Sequence, residues 1–171
     1  MKRTKRAAPA KTSVNGRGYM PPSKTDNHPT PQPLFDRLDK EFIFTCDAAA
    51  SAKNAKCSVF FSRRQNGLTQ NWGKHVVFLN PPYGRCIAHW AKKALEASRR
   101  GATVVMLVPA RTDTAWFHDV ALSPRAQVRF VRGRIKFGSA KNAAPFPNVV
   151  VVLYPPHVRR MGPKVRSMRA M

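Results

Sequence analysis

Short apolar runs alternate with amphipathic stretches along most of the chain, which is the pattern of an α/β fold. Six runs are candidate strands: residues 42–45, 58–61, 76–79, 103–108, 127–132 and 148–154. Apolar residues recur at helical spacing in three stretches, residues 31–41, 85–100 and 112–122. The alternation predicts an open, mostly parallel sheet. The last two strands have no helical pattern between them, so we expect an antiparallel strand at one edge of the sheet.

The two ends of the chain depart from this pattern. Residues 1–28 are rich in Lys, Arg, Pro, Gly and Ser, and we interpret them as a disordered basic arm. Residues 29–156 form the single predicted domain, and residues 157–171 are predicted to be a basic C-terminal tail. No apolar run approaches the ~18 residues of a membrane span, and the N terminus lacks the apolar segment of a secretory signal. We therefore expect a cytoplasmic protein without a membrane partner.

The charge narrows the choice of partner. The 171 residues include 31 Lys and Arg against 8 Asp and Glu, which gives a net charge of +23. Residues 26–156 contain 19 of the basic residues and all 8 acidic ones, so the excess extends into the predicted domain. Such a charge indicates a polyanionic partner, most simply nucleic acid. The cysteines Cys46, Cys57 and Cys86 fit no metal-binding spacing, so we expect reduced thiols and no metal site.

The motif Asn80-Pro81-Pro82-Tyr83 directly follows the apolar run VVFL. Ligands of such sheets bind beyond the carboxyl ends of the strands. The two prolines restrict the backbone, so the Pro81 carbonyl can be held in a set direction beside the Asn80 amide oxygen. Two acceptors aimed at one NH₂ group would hold both of its hydrogens, and Tyr83 offers a face for stacking. These four residues are the candidate catalytic residues, and an ordinary Asn-Pro turn is the alternative.

Several segments between residues 29 and 154 resemble the phage-type DNA N6-adenine methyltransferase (Dam) family. They are TPQPLFDRL, the FIFTCDAAAS region, NGLTQNW, VFLNPPYG, the helix with HWAKKALE, LVPARTDTAWFH, GRIKF and APFPNVVVVLY. The resemblance implies a Rossmann-like class I methyltransferase sheet of reduced size, with S-adenosylmethionine as cofactor and double-stranded DNA as substrate. It also implies direct methyl transfer to the N6 of an adenine flipped out of the duplex. A phage- or prophage-encoded enzyme would act in the host cytoplasm.

The resemblance further implies which residues bind the cofactor. They are Thr30, Pro31, Asp47, Ala48, Ala49 and Ser51. Alanine and serine stand in the turn after the first strand where glycines are common, and Ser62-Arg63-Arg64 stands where a ribose-binding acid is usual. These departures leave a non-catalytic nucleic-acid-binding protein on the same fold as an alternative. An amino-group methyltransferase acting on RNA or on a protein glutamine is another.

Five basic residues are candidates for phosphate contact: Arg85, Arg111, Arg132, Arg134 and Lys136. The last three alternate along an extended stretch and would share one face. Phe137 and Phe146 are candidates for the wall of a base pocket, and ordinary loop packing is the alternative. His89 and His118 have no partner acid at suggestive spacing, so we assign them no catalytic role.

Overall fold

The computed structural model of the chain describes residues 26–159 and 164–170. Most of the predicted arm, up to residue 25, and residues 160–163 and 171 of the predicted tail lie outside the described residues. The helices are α1 (Gln32–Phe42), α2 (Ile87–Arg99) and α3 (Ala115–Ala121). The strands are β1 (Cys46–Asp47), β2 (Val76–Leu79), β3 (Thr103–Pro109), β4 (Ala126–Arg132), β5 (Asn148–Leu153) and β6 (Val165–Arg169).

The six strands form one sheet in the order β1-β2-β3-β5-β4-β6. β5 runs antiparallel to both of its neighbours, and the other five strands share one direction. This confirms the predicted α/β fold with a mostly parallel sheet. The carboxyl ends of β1, β2, β3 and β4 therefore meet at one end of the sheet, which we call the carboxyl rim.

The antiparallel strand lies inside the sheet, which differs from the expected edge position. β5 is inserted between β3 and β4, and all six of its residues are buried. A continuous run such as NVVVVL buries both of its faces only when the strand is covered on both sides and paired along both ladders. The edge belongs instead to β6, which has the mostly exposed sequence VRSMR and comes from the segment predicted to be a tail.

The first two predicted strands are shorter than their apolar runs. Phe42 is the last residue of α1, and Ile43 turns the chain with a left-handed φ of 54°, so β1 contains only Cys46 and Asp47. The run at residues 58–61 makes a single parallel bridge, from Phe60 to Asp47. Apolar composition alone did not distinguish these segments from regular strands. None of the residues 42–45 and 58–61 is fully buried, and Ile43 and Val59 are exposed.

The sheet separates two apolar layers. Helices α2 and α3 cover one face, where Trp90 and Phe117 pack on alternate residues of β3 and β5. Helix α1 covers the other face together with the connection between β4 and β5, which contributes Phe137 and Phe146. Tyr83 touches both layers. The motif is therefore packed against the apolar layers on both faces of the sheet.

The three cysteines are present as free thiols. Burial raises the pKa of Cys46 and of Cys57 to about 12, so neither thiol ionises near neutral pH. Within the part of the chain that the structure describes, no helix combines the length and apolar character needed to cross a membrane.

A buried guanidinium ties the sheet to α1. Arg129 of β4 is 3% exposed and donates two hydrogen bonds of 2.6 Å to the carboxylate of Glu41. Its Nε donates to Gln127, and its guanidinium lies 4.9 Å from the centre of the Phe42 ring. A charge this deep requires its partner, because an unpaired buried guanidinium is strongly destabilising. The hydrogen bonds from Arg129 are the main reason that the pKa of Glu41 is lowered.

Replacing Glu41→Gln is expected to lower the free energy of unfolding by about 1–2 kcal/mol at neutral pH. This is less than for a fully buried pair, because Glu41 is 37% exposed. The lowered pKa means that the ionised carboxylate stabilises the fold above its ordinary pKa of 4.5, and that this stabilisation disappears as the pH falls through the lowered value. Denaturant unfolding of both proteins from pH 7 down to pH 3 measures the difference.

The matched control is Glu96→Gln on α2, since Glu96 has no ion pair among the described residues. Its substitution should leave stability nearly unchanged. If the loss of stability in Glu41→Gln stayed the same at acidic pH, the ion pair between Glu41 and Arg129 would not be its cause.

Candidate active site

The motif Asn80-Pro81-Pro82-Tyr83 forms the turn between β2 and α2, at the carboxyl rim. Strand β2 is held between β1 and β3, so Asn80 leaves the sheet from a buried position. Pro81 is buried and has no N–H that would need a partner. The turn therefore projects the Asn80 side chain beyond the strand end, as the sequence predicted.

The Asn80 amide is oriented by two hydrogen bonds. Its Nδ2 donates to the main-chain carbonyl of His28 at 2.6 Å and to Oγ1 of Thr30 at 2.8 Å. A carbonyl oxygen can only accept, so the nitrogen must face His28 and the amide oxygen must face the other way. That oxygen, Oδ1, is buried and has no hydrogen-bond partner among the described residues. It is an acceptor held in place without a donor.

Residues 26–30, which we call the strap, lie across the motif. The Tyr83 N–H donates to the Asp26 carbonyl at 3.0 Å, and the Gly138 N–H donates to the Pro29 carbonyl at 2.9 Å. Gly84 allows the close approach, because a Cβ added there would lie 2.1 Å from a carboxylate oxygen of Asp26. Sequence reasoning placed residues 26–28 in the disordered arm and missed this role. No periodic pattern marks a segment that is held mainly through its backbone.

A cavity of about 660 Å³ opens beside Asn80. It is lined by the strap, by residues 47–56 after β1, by residues 61–68 and by the start of α2. Among the predicted cofactor-binding residues, Thr30, Asp47, Ala49 and Ser51 line it. Pro31 and Ala48 do not belong to the lining. The Pro31 carbonyl accepts the first hydrogen bonds of α1, and Ala48 is fully buried beneath Gly67.

Asp47 organises the turn that forms one wall of the cavity. Its carboxylate accepts from the N–H groups of Ala49 at 3.4 Å and Lys56 at 3.1 Å. Burial raises the pKa of Asp47, and these two N–H groups oppose the increase. Ser51 donates from its N–H and its hydroxyl to Asn54. Residues 48–51 all have negative φ, so this turn forms without glycine.

Ser62 and Arg63 also line the cavity, at the position where a ribose-binding acid was expected. The Ser62 N–H and hydroxyl both donate to the side chain of Gln65. Asn66 has a left-handed φ of 52° and closes the loop. This wall therefore presents hydroxyl, amide and guanidinium groups.

Three aromatic rings, those of Tyr83, Phe137 and Phe146, cluster around the His28 ring beside the motif. Tyr83 lies edge-on to Phe137 and Phe146, with ring centres 6.0 and 5.7 Å away. The His28 ring packs against all three, with centres 4.9 Å from Tyr83, 5.2 Å from Phe137 and 5.4 Å from Phe146. The Tyr83 hydroxyl donates to the Leu107 carbonyl of β3. We call Tyr83, Phe137 and Phe146 the aromatic cage.

Burial shifts the pKa of two rings in this cluster. It raises the pKa of Tyr83 well above its ordinary value. It lowers the pKa of His28, and the Asp26 carboxylate partly opposes that decrease. The neutral forms of both rings are favoured at neutral pH. Sequence reasoning did not select His28, and nothing in the local sequence distinguishes it from an ordinary polar residue.

The five predicted phosphate-contacting residues are all exposed: Arg85, Arg111, Arg132, Arg134 and Lys136. Arg132 is the last residue of β4, and the other four follow the carboxyl ends of β2, β3 and β4, which share one direction. Beyond β4 the exposed basic residues alternate with the buried Ile135 and Phe137, so the charges share one face, as the spacing predicted. The topology thus brings them to the rim that carries the motif.

Comparison with known proteins decides the family. The family model described as DNA N-6-adenine-methyltransferase (Dam) matches residues 18–155. The chain belongs to the Dam family. This confirms the resemblance carried by the motif and the segments around it.

Two relatives of this Dam-family chain are phage proteins, each named DNA N-6-adenine-methyltransferase. The protein of Escherichia phage T1 is 36% identical over 117 residues, which cover 65% of this chain and 49% of the relative. The protein of Haemophilus phage HP1 (strain HP1c1) is 28% identical over 117 residues, or 67% of this chain and 68% of the relative. The matched part of the chain thus spans about half the length of the phage T1 protein.

The described residues of the Dam-family chain contain no group of three or more His, Cys, Asp or Glu that could hold a metal ion. The polar side chains that line the cavity include amides and hydroxyls together with the Asp26 and Asp47 carboxylates and the basic groups of Lys56 and Arg63. Such groups bind and orient a ligand through hydrogen bonds.

Proposed function

We propose that this chain methylates the N6 amino group of adenine in double-stranded DNA, in the cytoplasm of a bacterial host cell. The observation that carries the proposal is the Oδ1 atom of Asn80, which is buried, oriented and without a donor among the described residues. The name of the family and the phage origin of both relatives agree with it. An exocyclic NH₂ group is the donor that such an acceptor lacks.

The cavity beside Asn80 suits S-adenosylmethionine. Its volume of about 660 Å³ falls in the range of small-molecule sites, roughly 300–1,000 Å³. Thr30, Asp47, Ala49 and Ser51 would hold the cofactor, since they line the cavity. When bound, S-adenosylmethionine would supply an electrophilic methyl group: a C–N bond would form, the C–S bond would break to leave a neutral thioether, and one amino proton would pass to solvent.

The residues of the motif would position the target base and its amino group. Asn80 Oδ1 and the Pro81 carbonyl would accept the two amino hydrogens, which favours a pyramidal nitrogen whose lone pair faces the methyl group. Tyr83 would stack on the base. Neither contact requires an acid or a base, so alignment supplies most of the rate enhancement. The extruded base requires a few kcal/mol of unstacking, and stacking in the cage offsets part of that requirement.

Replacing Asn80→Ala should lower the turnover number about 100-fold or more, because a preorganised group that contacts the reacting atoms is lost. DNA affinity should stay within a few fold, since the phosphate contacts are unchanged. The measurement is transfer of label from S-adenosylmethionine to unmethylated DNA, with separate quantification of N6-methyladenine and DNA binding. Asn71→Ala is the control, because the Asn71 side chain is exposed and accepts from the Gly73 N–H in a turn away from the motif. A folded wild-type protein that leaves no label in N6-methyladenine would refute the function.

Replacing Arg134→Ala should weaken DNA binding and reduce the slope of log affinity against log salt by about one. The reason is that Arg134 lies at the carboxyl rim, where it would neutralise one phosphate. Arg99→Ala is the matched control, because Arg99 is exposed at the far end of α2. The slopes are measured by DNA titration from low to high salt. Equal slopes for the two variants would show that Arg134 does not contact DNA.

A further inference from the structure

Asn148, the first residue of β5, carries a buried side-chain amide. It is 2% exposed, and neither its Oδ1 nor its Nδ2 has a hydrogen-bond partner among the described residues. An unpaired buried amide is destabilising, because the group loses its hydrogen bonds to water and gains none in return. Strands of this kind favour apolar residues, and the following residues Val149–Leu153 are all apolar. The exception at the rim therefore requires an explanation.

The position of Asn148 relates it to the aromatic cage. Along a strand, alternate residues face the same side, so Asn148 shares a face with Val150. Val150 pairs with Leu107, whose carbonyl accepts from the Tyr83 hydroxyl, and Asn148 pairs with Pro109, two residues further towards the rim. Phe146 of the cage precedes Asn148 by two residues and packs in the same apolar layer as Val150. The amide thus lies on the face of the sheet that the cage covers.

We propose that Asn148 is a specificity-determining residue that reads the edge of the target base. This rests on the proposed function, in which Asn80 and Pro81 hold the amino group of adenine. The ring nitrogens N1 and N7 flank that amino group, and both are acceptors. The Nδ2 of Asn148 donates to one of them. A base with an N–H at that position presents a donor to a donor, so it is rejected.

The first test compares stability with activity in Asn148→Leu. An apolar side chain of similar shape removes the unpaired amide, so the melting temperature should stay equal or rise. Catalytic efficiency on DNA should fall about 10- to 100-fold, the usual discrimination from a base contact. Asn71→Leu, the same change in an exposed turn, should not lower activity. A variant that loses stability and activity together would assign Asn148 a structural role and overturn the proposal.

The second test uses DNA in which 1-deazaadenine or 7-deazaadenine replaces adenine. Each analogue lacks one ring nitrogen. The catalytic efficiency of the wild-type protein should fall about tenfold with one of the two analogues. The catalytic efficiency of Asn148→Leu should be the same with that analogue as with adenine. Equal losses in both proteins with both analogues would refute base reading by Asn148. Absence of transfer to adenine itself by the wild-type protein would instead refute the proposed function. Asn148→Ser also removes the amide, and it should show the same dependence on the analogue as Asn148→Leu.

A separate observation concerns the ring that fills the cage. His28 contacts all three cage rings, and its plane is tilted only 34° from that of Tyr83. Its ring therefore covers the Tyr83 face on which the base would stack. The strap backbone is held at Asp26, His28 and Pro29 by hydrogen bonds, so the movement that would uncover the Tyr83 face is a rotation of the His28 side chain.

We infer that the His28 ring is a placeholder for the target base and leaves the cage when the base enters. This inference also rests on the proposed function. An occupied cage lowers the fraction of the protein that is ready to accept a base. His28→Ala should therefore raise catalytic efficiency on DNA, by about threefold or more. His28→Phe keeps an apolar ring in the cage and should lower catalytic efficiency on DNA.

Proton NMR tests the placement directly. The ring protons of His28, assigned by comparison with His28→Ala, should be shifted by the neighbouring rings in the free protein. They should move towards ordinary positions when DNA and S-adenosylhomocysteine are added. Unchanged ring protons in the complex, or slower transfer by His28→Ala with an active wild-type protein, would overturn the placeholder. An inactive wild-type protein would refute the proposed function itself.

Discussion

The two hydrogen bonds donated by Asn80 Nδ2 are the constraint on which the site depends. One goes to the His28 carbonyl and the other to the Thr30 hydroxyl, so both N–H groups of the amide are used. The amide oxygen is then the group left for a ligand, and its direction follows from the bonds on the nitrogen. The same bonds tie the strap to the motif. The strap in turn walls the cavity and presents the His28 ring to the aromatic cage.

The insertion of β5 between β3 and β4 brings the aromatic cage, exposed basic residues and Asn148 to the carboxyl rim. Because β4 is parallel to β2, the connection between β4 and β5 starts at the carboxyl rim and must return to it. That connection supplies Phe137 and Phe146 to the cage and exposed basic residues to the outer surface. It also delivers Asn148 to the start of a buried strand. This connection and the start of β5 thus contribute to the proposed DNA interface, to the aromatic cage and to the proposed base contact by Asn148.

The turn after β1 forms without the glycines that the general methyltransferase pattern places there. Glycines are usual there, and this chain has alanines and a serine. The backbone needs no positive φ between residues 48 and 51, and Asp47 holds the turn by accepting two main-chain N–H groups. The missing glycines therefore do not argue for a degenerate fold. The proposed cofactor cavity lies directly against this turn.

The sequence by itself determined the elements whose cause is local. Apolar periodicity located three helices and four strands, the two prolines marked the motif, and alternation placed the basic residues after β4 on one face. Only the tertiary structure decided the interior place of β5, the strap, the cage with His28, and the unpaired amide of Asn148. These depend on contacts between residues far apart in the chain, such as the 52 positions between His28 and Asn80. Local sequence carries no signal for a backbone carbonyl that happens to meet an amide, because every residue type has that carbonyl.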